Sequence, residues 1–199
     1  FNAAKGSRPS VDKSAPDMRI HAFLTESRCT IYLDTSGEAL FKRGWRVQTG
    51  EAPLRENLAA GILRLAGWQP DQALLDPMCG SGTFLIEAAH MALNIAPGAR
   101  RPLALEQIIP CPAEVIHTAR EAAIAAEHPP RTLPIHGNDL DASVLECAEA
   151  NLHMAKLKGC VNLSCGDLQD CEPHAPTGVI VSNPPYGVRI GELAYLDEL

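Results

Sequence analysis

Ala73-Leu74-Leu75-Asp76-Pro77-Met78-Cys79-Gly80-Ser81-Gly82-Thr83-Phe84-Leu85 carries a short apolar strand, an acidic residue, a tight turn and the start of a helix. Two glycines one residue apart, Gly80 and Gly82, permit positive φ and leave the backbone bare to a ligand. The N–H groups of a helix opening at Thr83 point at whatever binds there. This is the pattern of a nucleotide-type pocket. A dinucleotide fingerprint needs a third glycine where Leu85 stands, and a phosphate-cradling loop ends in Gly-Lys-Ser/Thr, which is absent. Taken alone, the same turn also serves as an ordinary strand-to-helix connection with glycines for geometry.

The ligand that suits an acidic strand end followed by Gly-x-Gly is S-adenosylmethionine, whose ammonium wants a carboxylate and whose carboxylate wants helix N–H groups. Its cradle is expected from Asp76, Pro77, Cys79, Gly80, Ser81, Gly82 and Thr83. Outward from this turn, Leu133 to Asn138 reads as a second strand ending at Asp139, with Asp141 or Ser143 capping the next helix. An acidic residue at the end of the second strand of a doubly wound sheet takes the ribose hydroxyls, which assigns Asp139. Asp139 lies 57 residues past Gly82 rather than the usual ~20, so the proline-edged insertion Pro97 to Pro134, with one helix at about Ala113 to Glu127, must loop out. Val161 to Cys165 is a third strand, closed by Gly166-Asp167-Leu168, where Asp167 and Leu168 are placed at the adenine. Gly178 to Ser182 is a fourth, apolar as buried parallel strands are, and ends in Asn183-Pro184-Pro185-Tyr186. The pattern is α/β, a parallel sheet with ligand groups along one edge.

The last turn carries the chemistry. Methyl transfer from a sulfonium is a direct displacement, so the protein's task is chiefly positioning. An exocyclic aromatic amine is a poor nucleophile because its lone pair is delocalised into the ring. Accepting its two N–H groups on the Asn183 side-chain oxygen and the Pro184 carbonyl frees that lone pair. Pro184 and Pro185 stiffen the loop, and Tyr186 stacks on the planar group. A carbon-methylating mechanism would want a cysteine nucleophile here, and none is present.

The formal charge of −7 is unevenly spread, with ten Lys/Arg against seven Asp/Glu up to Pro70 and seven against seventeen after it. A basic module that meets a polyanion beside an acidic one is expected. Lys42, Arg43, Trp45 and Arg46 stand close together in the basic half, either to stack on bases and neutralise phosphates or as a solvated basic edge. Met18 to Phe23 and Arg28 to Asp34 read as strands of a small sheet, and Pro53 to Trp68 as a helix with the apolar Leu54, Leu58, Ile62 and Leu65 at helical spacing. Glu87 reads as part of a solvated face. Seven cysteines, odd in number and without C-x-x-C, support neither a disulfide framework nor a metal site, and point to a reducing cytoplasm. No apolar run reaches membrane-spanning length.

Asp76 to Thr83 together with Asn183-Pro184-Pro185-Tyr186 resembles the class I S-adenosylmethionine-dependent amino-methyltransferases. Arg8-Pro9-Ser10-Val11-Asp12-Lys13, Leu33 to Glu38, Lys42-Arg43-Gly44-Trp45-Arg46, Glu51 to Ala59 and Ile95-Ala96-Pro97-Gly98 narrow the resemblance to the bacterial 23S rRNA guanine-N2 methyltransferase L family. That resemblance implies part of an α+β THUMP RNA-binding domain (1–48), a linker helix (49–70) and the first four strands of a Rossmann-like catalytic domain (71–199). It implies 23S rRNA or a large-subunit assembly intermediate as partner, with no membrane. The chain opens on Phe1 and stops after the fourth of seven strands, so a piece of a longer protein is expected, with an uncovered sheet edge. N6-adenine DNA methyltransferases and release-factor glutamine-N5 methyltransferases share the Asn-Pro-Pro-Tyr turn but need no basic N-terminal module. A non-catalytic RNA-binding or assembly factor on the same fold is the alternative without chemistry.

Overall fold

The computed structural model describes residues 6, 11–14, 16–47, 54–108, 111 and 113–185. They pack as two compact units, one drawn from Phe1–Ala39 and Pro102–Thr118, the other from Leu40–Arg101 and Ala119–Leu199.

In the first unit, β1 (Arg19–Leu24) and β2 (Cys29–Asp34) pair antiparallel from Arg19↔Asp34 to Leu24↔Cys29. The hairpin closes through Thr25 N–H to the Arg28 carbonyl at 2.8 Å. Asp34 Oδ1 then accepts the N–H groups of Ser36 (3.0 Å) and Gly37 (3.3 Å), the side-chain turn expected of Asp34-Thr35-Ser36-Gly37. A short 3₁₀ helix, Ala104–Gln107, lies against that turn, with Leu105 N–H on the Thr35 carbonyl at 3.0 Å. Part of the insertion therefore belongs to this unit instead of merely lengthening a crossover.

The second unit is built on a four-stranded, all-parallel sheet in the order β5-β4-β3-β6. The strands are β3 (Ala73–Asp76), β4 (Ile135–Asp139), β5 (Asn162–Cys165) and β6 (Gly178–Ile180). The α-helices among the described residues are α1 (Glu56–Leu65), α2 (Thr83–Ala92), α3 (Ala113–Ala125) and α4 (Ala142–Met154). Leu63, Leu74, Leu85, Ile86, Leu93, Leu133, Ile135 and Leu157 are fully buried at the centre of the core. The chain leaves β3 towards β4 on one side, and β6 pairs on the other. Loops that part in opposite directions open a crevice at the carboxyl end of the strand between them.

Three expectations are corrected by tertiary packing. In α1 the buried residues are Glu56, Ala59 and Leu63, while Leu58 and Leu65 are exposed, so the inward stripe is rotated from the apolar one. Glu87 is buried on α2, where Arg43 pairs with it at 3.2 Å, because that helix is packed on nearly every side. β6 ends at Ile180 and leaves that side chain exposed, since it forms an edge of the described sheet. No helix among the described residues is long and apolar enough to cross a membrane.

Gly137 in β4 lies close against Leu85 of α2. A β-carbon there would stand 2.3 Å from Leu85 Cδ1 and 3.1 Å from both Cys79 Sγ and Leu163 Cδ2. Gly137→Ala is expected to destabilise the protein by roughly 1–3 kcal/mol, read as a lowered thermal midpoint. An unchanged midpoint would show that Leu85 has room to swing away.

Candidate cofactor and substrate site

Asp76 closes β3 and is 1% exposed. Burial pushes its carboxyl up to about 7, with the nearby Asp139 charge adding to the rise and the Met78 N–H and Ser182 hydroxyl opposing it. The Met78 N–H reaches Asp76 Oδ1 at 3.4 Å. The Ser182 hydroxyl faces the carboxyl closely enough to favour its charged form, yet at a geometry that leaves Ser182 Oγ buried without a formed hydrogen bond. A buried carboxyl with so little compensation would gain from a cationic group beside it.

The turn after Asp76 is held by its neighbours. Cys79 N–H donates to the Asn138 carbonyl (2.8 Å) and Gly82 N–H to the Cys79 carbonyl (2.9 Å). Gly80 and Gly82 have φ of +54° and +82°, the left-handed region that favours glycine. Nothing lies within 4 Å of where a Gly80 β-carbon would stand, so the space above that backbone is open. Gly82 is the N-cap of α2 and no side chain caps the helix, which leaves its first N–H groups for an anion. Burial pushes the Cys79 thiol up, with the Asp76 and Asp139 charges adding to the rise, which holds it protonated and unfit as a nucleophile.

Asp139, at the tip of β4, accepts Gly80 N–H on Oδ2 (2.8 Å) and Asp141 N–H on Oδ1 (3.1 Å). Each carboxylate oxygen retains a lone pair for a further donor such as a hydroxyl. Asp141 caps α4 through Ser143 N–H at 2.8 Å and is exposed. Asp167 caps the short 3₁₀ helix Leu168–Asp170 through Gln169 N–H at 2.9 Å, and both Asp167 and Leu168 are half-buried beyond the tip of β5. Asn138 was not singled out from the sequence, yet it is the buried tie among the tips. Its Nδ2 donates to the carbonyls of Pro77 (3.3 Å) and Gly166 (2.9 Å), and its Oδ1 accepts from Ser164 Oγ (2.8 Å). An asparagine inside a strand, between Gly137 and Asp139, is the signal that marks it.

Pairing with β3 continues past β6 through Val181 N–H to the Leu75 carbonyl at 3.0 Å. Ser182 consequently sits beside Asp76, and Asn183 follows one residue further. Asn183 and Pro185 are half-buried and Pro184 is exposed. The Asn183 amide makes no hydrogen bond among the described residues. Tyr186 lies outside the described residues.

Of the basic cluster Lys42 is exposed, while Arg43, Trp45 and Arg46 are placed otherwise than either sequence-based reading of them. Trp45 is 3% exposed in the core of the second unit and cannot stack on a base. Arg43 and Arg46 are drawn into ion pairs with Glu87 and Glu56, at 3.2 and 2.8 Å.

Residues 43–199 match the family model described as "RMKL-like, methyltransferase domain". The chain belongs to this family. Residues 1–34 match the THUMP domain. The RMKL-like chain is 41% identical over 202 residues to a ribosomal RNA large subunit methyltransferase K/L of Marinomonas sp. (strain MWYL1), covering 96% of this chain and 28% of that protein. The crystal structure of SMU.472, named provisionally as a methyltransferase and complexed with SAH, superposes with a TM-score of 0.84 at 36% identity over 99% of this chain and 52% of that one. A Listeria monocytogenes str. 4b F2365 protein named as a predicted N6-adenine-specific DNA methylase superposes with a TM-score of 0.82 at 35% identity, over 91% and 48%. The sheet is thus that of a class I methyltransferase, and this RMKL-like chain spans about a quarter to a half of the lengths of these relatives.

Proposed function

We propose that the complete protein transfers a methyl group from S-adenosylmethionine to the exocyclic N2 of a guanine in 23S rRNA, as a cytoplasmic enzyme acting on the rRNA or a large-subunit assembly intermediate. The observation that carries this reading is the line of Asp167, Asp139, Asp76 and Asn183 along the carboxyl edge of one parallel sheet.

The cofactor fits what is present. Asp76 is a buried acid wanting a cation, the uncapped end of α2 offers N–H groups to a carboxylate, and open space lies over Gly80. Pro77, Cys79, Ser81 and Thr83 shape that cradle, Asp139 takes ribose hydroxyls, and Asp167 with Leu168 borders the adenine. When bound, S-adenosylmethionine supplies an electrophilic methyl on a sulfonium. The chain's part is then to hold and activate the amine. Asn183 Oδ1 and the Pro184 carbonyl accept the two N–H groups, which localises the nitrogen lone pair, while Pro185 restrains the loop and Tyr186 stacks on the base. No strong base is required, because the amine becomes more acidic once its lone pair is committed.

The match of residues 1–34 to the THUMP domain and the rRNA methyltransferase relatives favour an RNA substrate over DNA or protein. We assign residues 1–48 to the RNA-binding piece, 49–70 to the linker and 71–199 to the catalytic domain, and place Leu40–Val47, which packs with the parallel sheet, at the junction of the first two. The test is to incubate the full-length protein with methyl-labelled cofactor and 23S rRNA from a strain lacking it, then map the label. Label on guanine N2 is expected. In parallel reactions with DNA and with a release factor, label on adenine N6 or on glutamine selects the related chemistries, and no transfer to any of the three selects the non-catalytic RNA-binding alternative.

A further inference from the structure

Arg46 makes four side-chain hydrogen bonds from a position where only 15% of its side chain is exposed. Its Nε donates to Glu56 Oε1 at 2.8 Å, one terminal nitrogen to Ser81 Oγ at 3.2 Å, and the other to the Leu54 carbonyl (3.1 Å) and Thr83 Oγ1 (2.9 Å). Ser81 and Thr83 flank Gly82, the residue at which the glycine turn becomes α2. Next along the chain, Val47 N–H donates to Asn151 Oδ1 (3.0 Å), and Asn151 Nδ2 donates to the Ser81 carbonyl (3.1 Å). The Ser81 side chain and backbone are therefore both tied to the segment Arg46–Val47, one directly and one through Asn151.

We propose that Arg46 is the positioning residue of the cofactor turn, setting the hydroxyls of Ser81 and Thr83 for a carboxylate-bearing ligand. A guanidinium carries only donors, so both hydroxyl oxygens must act as acceptors towards it. Each hydroxyl proton is thereby turned away from Arg46 and left for another acceptor. Both hydroxyls stand beside the uncapped end of α2, where the helix already favours an anion. Glu56 restrains the guanidinium in the plane that reaches both hydroxyls at once, because a bound carboxylate fixes the orientation of the fork. Lysine cannot reproduce this, having one compact ammonium in place of a planar fork.

This rests on the proposed use of S-adenosylmethionine, and the experiment separates the two. Titration calorimetry of the full-length protein with S-adenosylmethionine is run on wild type, Arg46→Lys, Thr83→Val, the double variant, and Arg43→Lys, with folding checked by circular dichroism. Arg43→Lys is the matched control, since it weakens an equally buried ion pair with Glu87 further along α2 without touching the turn. Arg46→Lys is expected to raise the cofactor Kd about tenfold, while Arg43→Lys lowers the thermal midpoint and leaves the Kd in place. The double variant is expected to bind about as weakly as Arg46→Lys alone, since residues acting as a unit are non-additive. The proposal is overturned if Arg46→Lys binds as wild type does, if Arg43→Lys loses as much affinity, or if the single effects multiply. Should Arg46→Lys not fold, Thr83→Val set against Arg43→Lys decides, and equal affinities of that pair overturn it. Failure of the wild type to bind the cofactor refutes the underlying function instead.

Discussion

Asn183→Ala in the full-length protein is expected to lower kcat for rRNA methylation by on the order of 10²–10³-fold while leaving S-adenosylmethionine affinity essentially as in wild type. The asymmetry follows from where the residue stands. Asn183 lies at the end of the segment that leaves β6, and its amide bonds to no described residue, so truncation breaks no hydrogen bond among the described residues. The acidic groups assigned to the cofactor sit on β3, β4 and beyond β5, untouched by the change. Stability is expected within about 0.5 kcal/mol of wild type, as for a side chain with no partner to lose. Single-turnover rates with pre-bound cofactor, together with calorimetric binding, check both halves. A wild-type rate in the variant would remove Asn183 from the chemistry.

Cofactor binding is expected to peak near neutral pH and to weaken roughly tenfold for each pH unit below 7, because an ammonium needs Asp76 as its carboxylate. Burial holds that carboxyl at about 7 in the free protein, against its ordinary 3.8. Below 7 binding must therefore expel a proton, and above about 8 the ligand's own α-amino group loses its charge. The linkage to stability has the opposite sign. A carboxyl whose folded pKa is raised binds its proton more tightly in the fold, so its contribution is fully present below pH 3.8 and is lost as pH climbs through 7. Asp76→Asn keeps the shape and cannot ionise. It is expected to bind S-adenosylmethionine about 10–10²-fold more weakly, yet to gain a few kcal/mol over wild type in ligand-free urea melts between pH 5 and 8. A variant that loses both affinity and stability at pH 8 would place Asp76 in a purely structural role.

Much of this was legible from the chain because the signals are local. The strand at Ala73, the turn at Gly80 to Gly82 and the helix from Thr83 rest on hydrophobic period and positive φ, both properties of a few consecutive residues. The observed β1 and β2 begin one residue later than expected, and β4 is shifted towards Asp139, since strand ends depend on the partner's register. The basic cluster was misjudged for a different reason. Whether Trp45 faces solvent, or Arg43 and Arg46 meet phosphates, turns on Glu87 and Glu56 arriving from helices elsewhere in the chain. The same holds for α1, whose exposed Leu58 and Leu65 look no different in sequence from its buried Leu63.

Sequence by itself determined the class of fold and the four strand tips that carry Asp76, Asp139, Asp167 and Asn183, because periodicity, glycine turns and acidic strand ends are written in near neighbours, while the order of those strands across the sheet came from their pairing. Only the tertiary structure decided that Asn138 ties those tips together, that Ser182 faces Asp76, and that Arg46 grips the glycine turn. Those roles depend on groups brought together across long stretches of chain, where burial and the want of a hydrogen-bond partner, rather than local propensity, set the outcome.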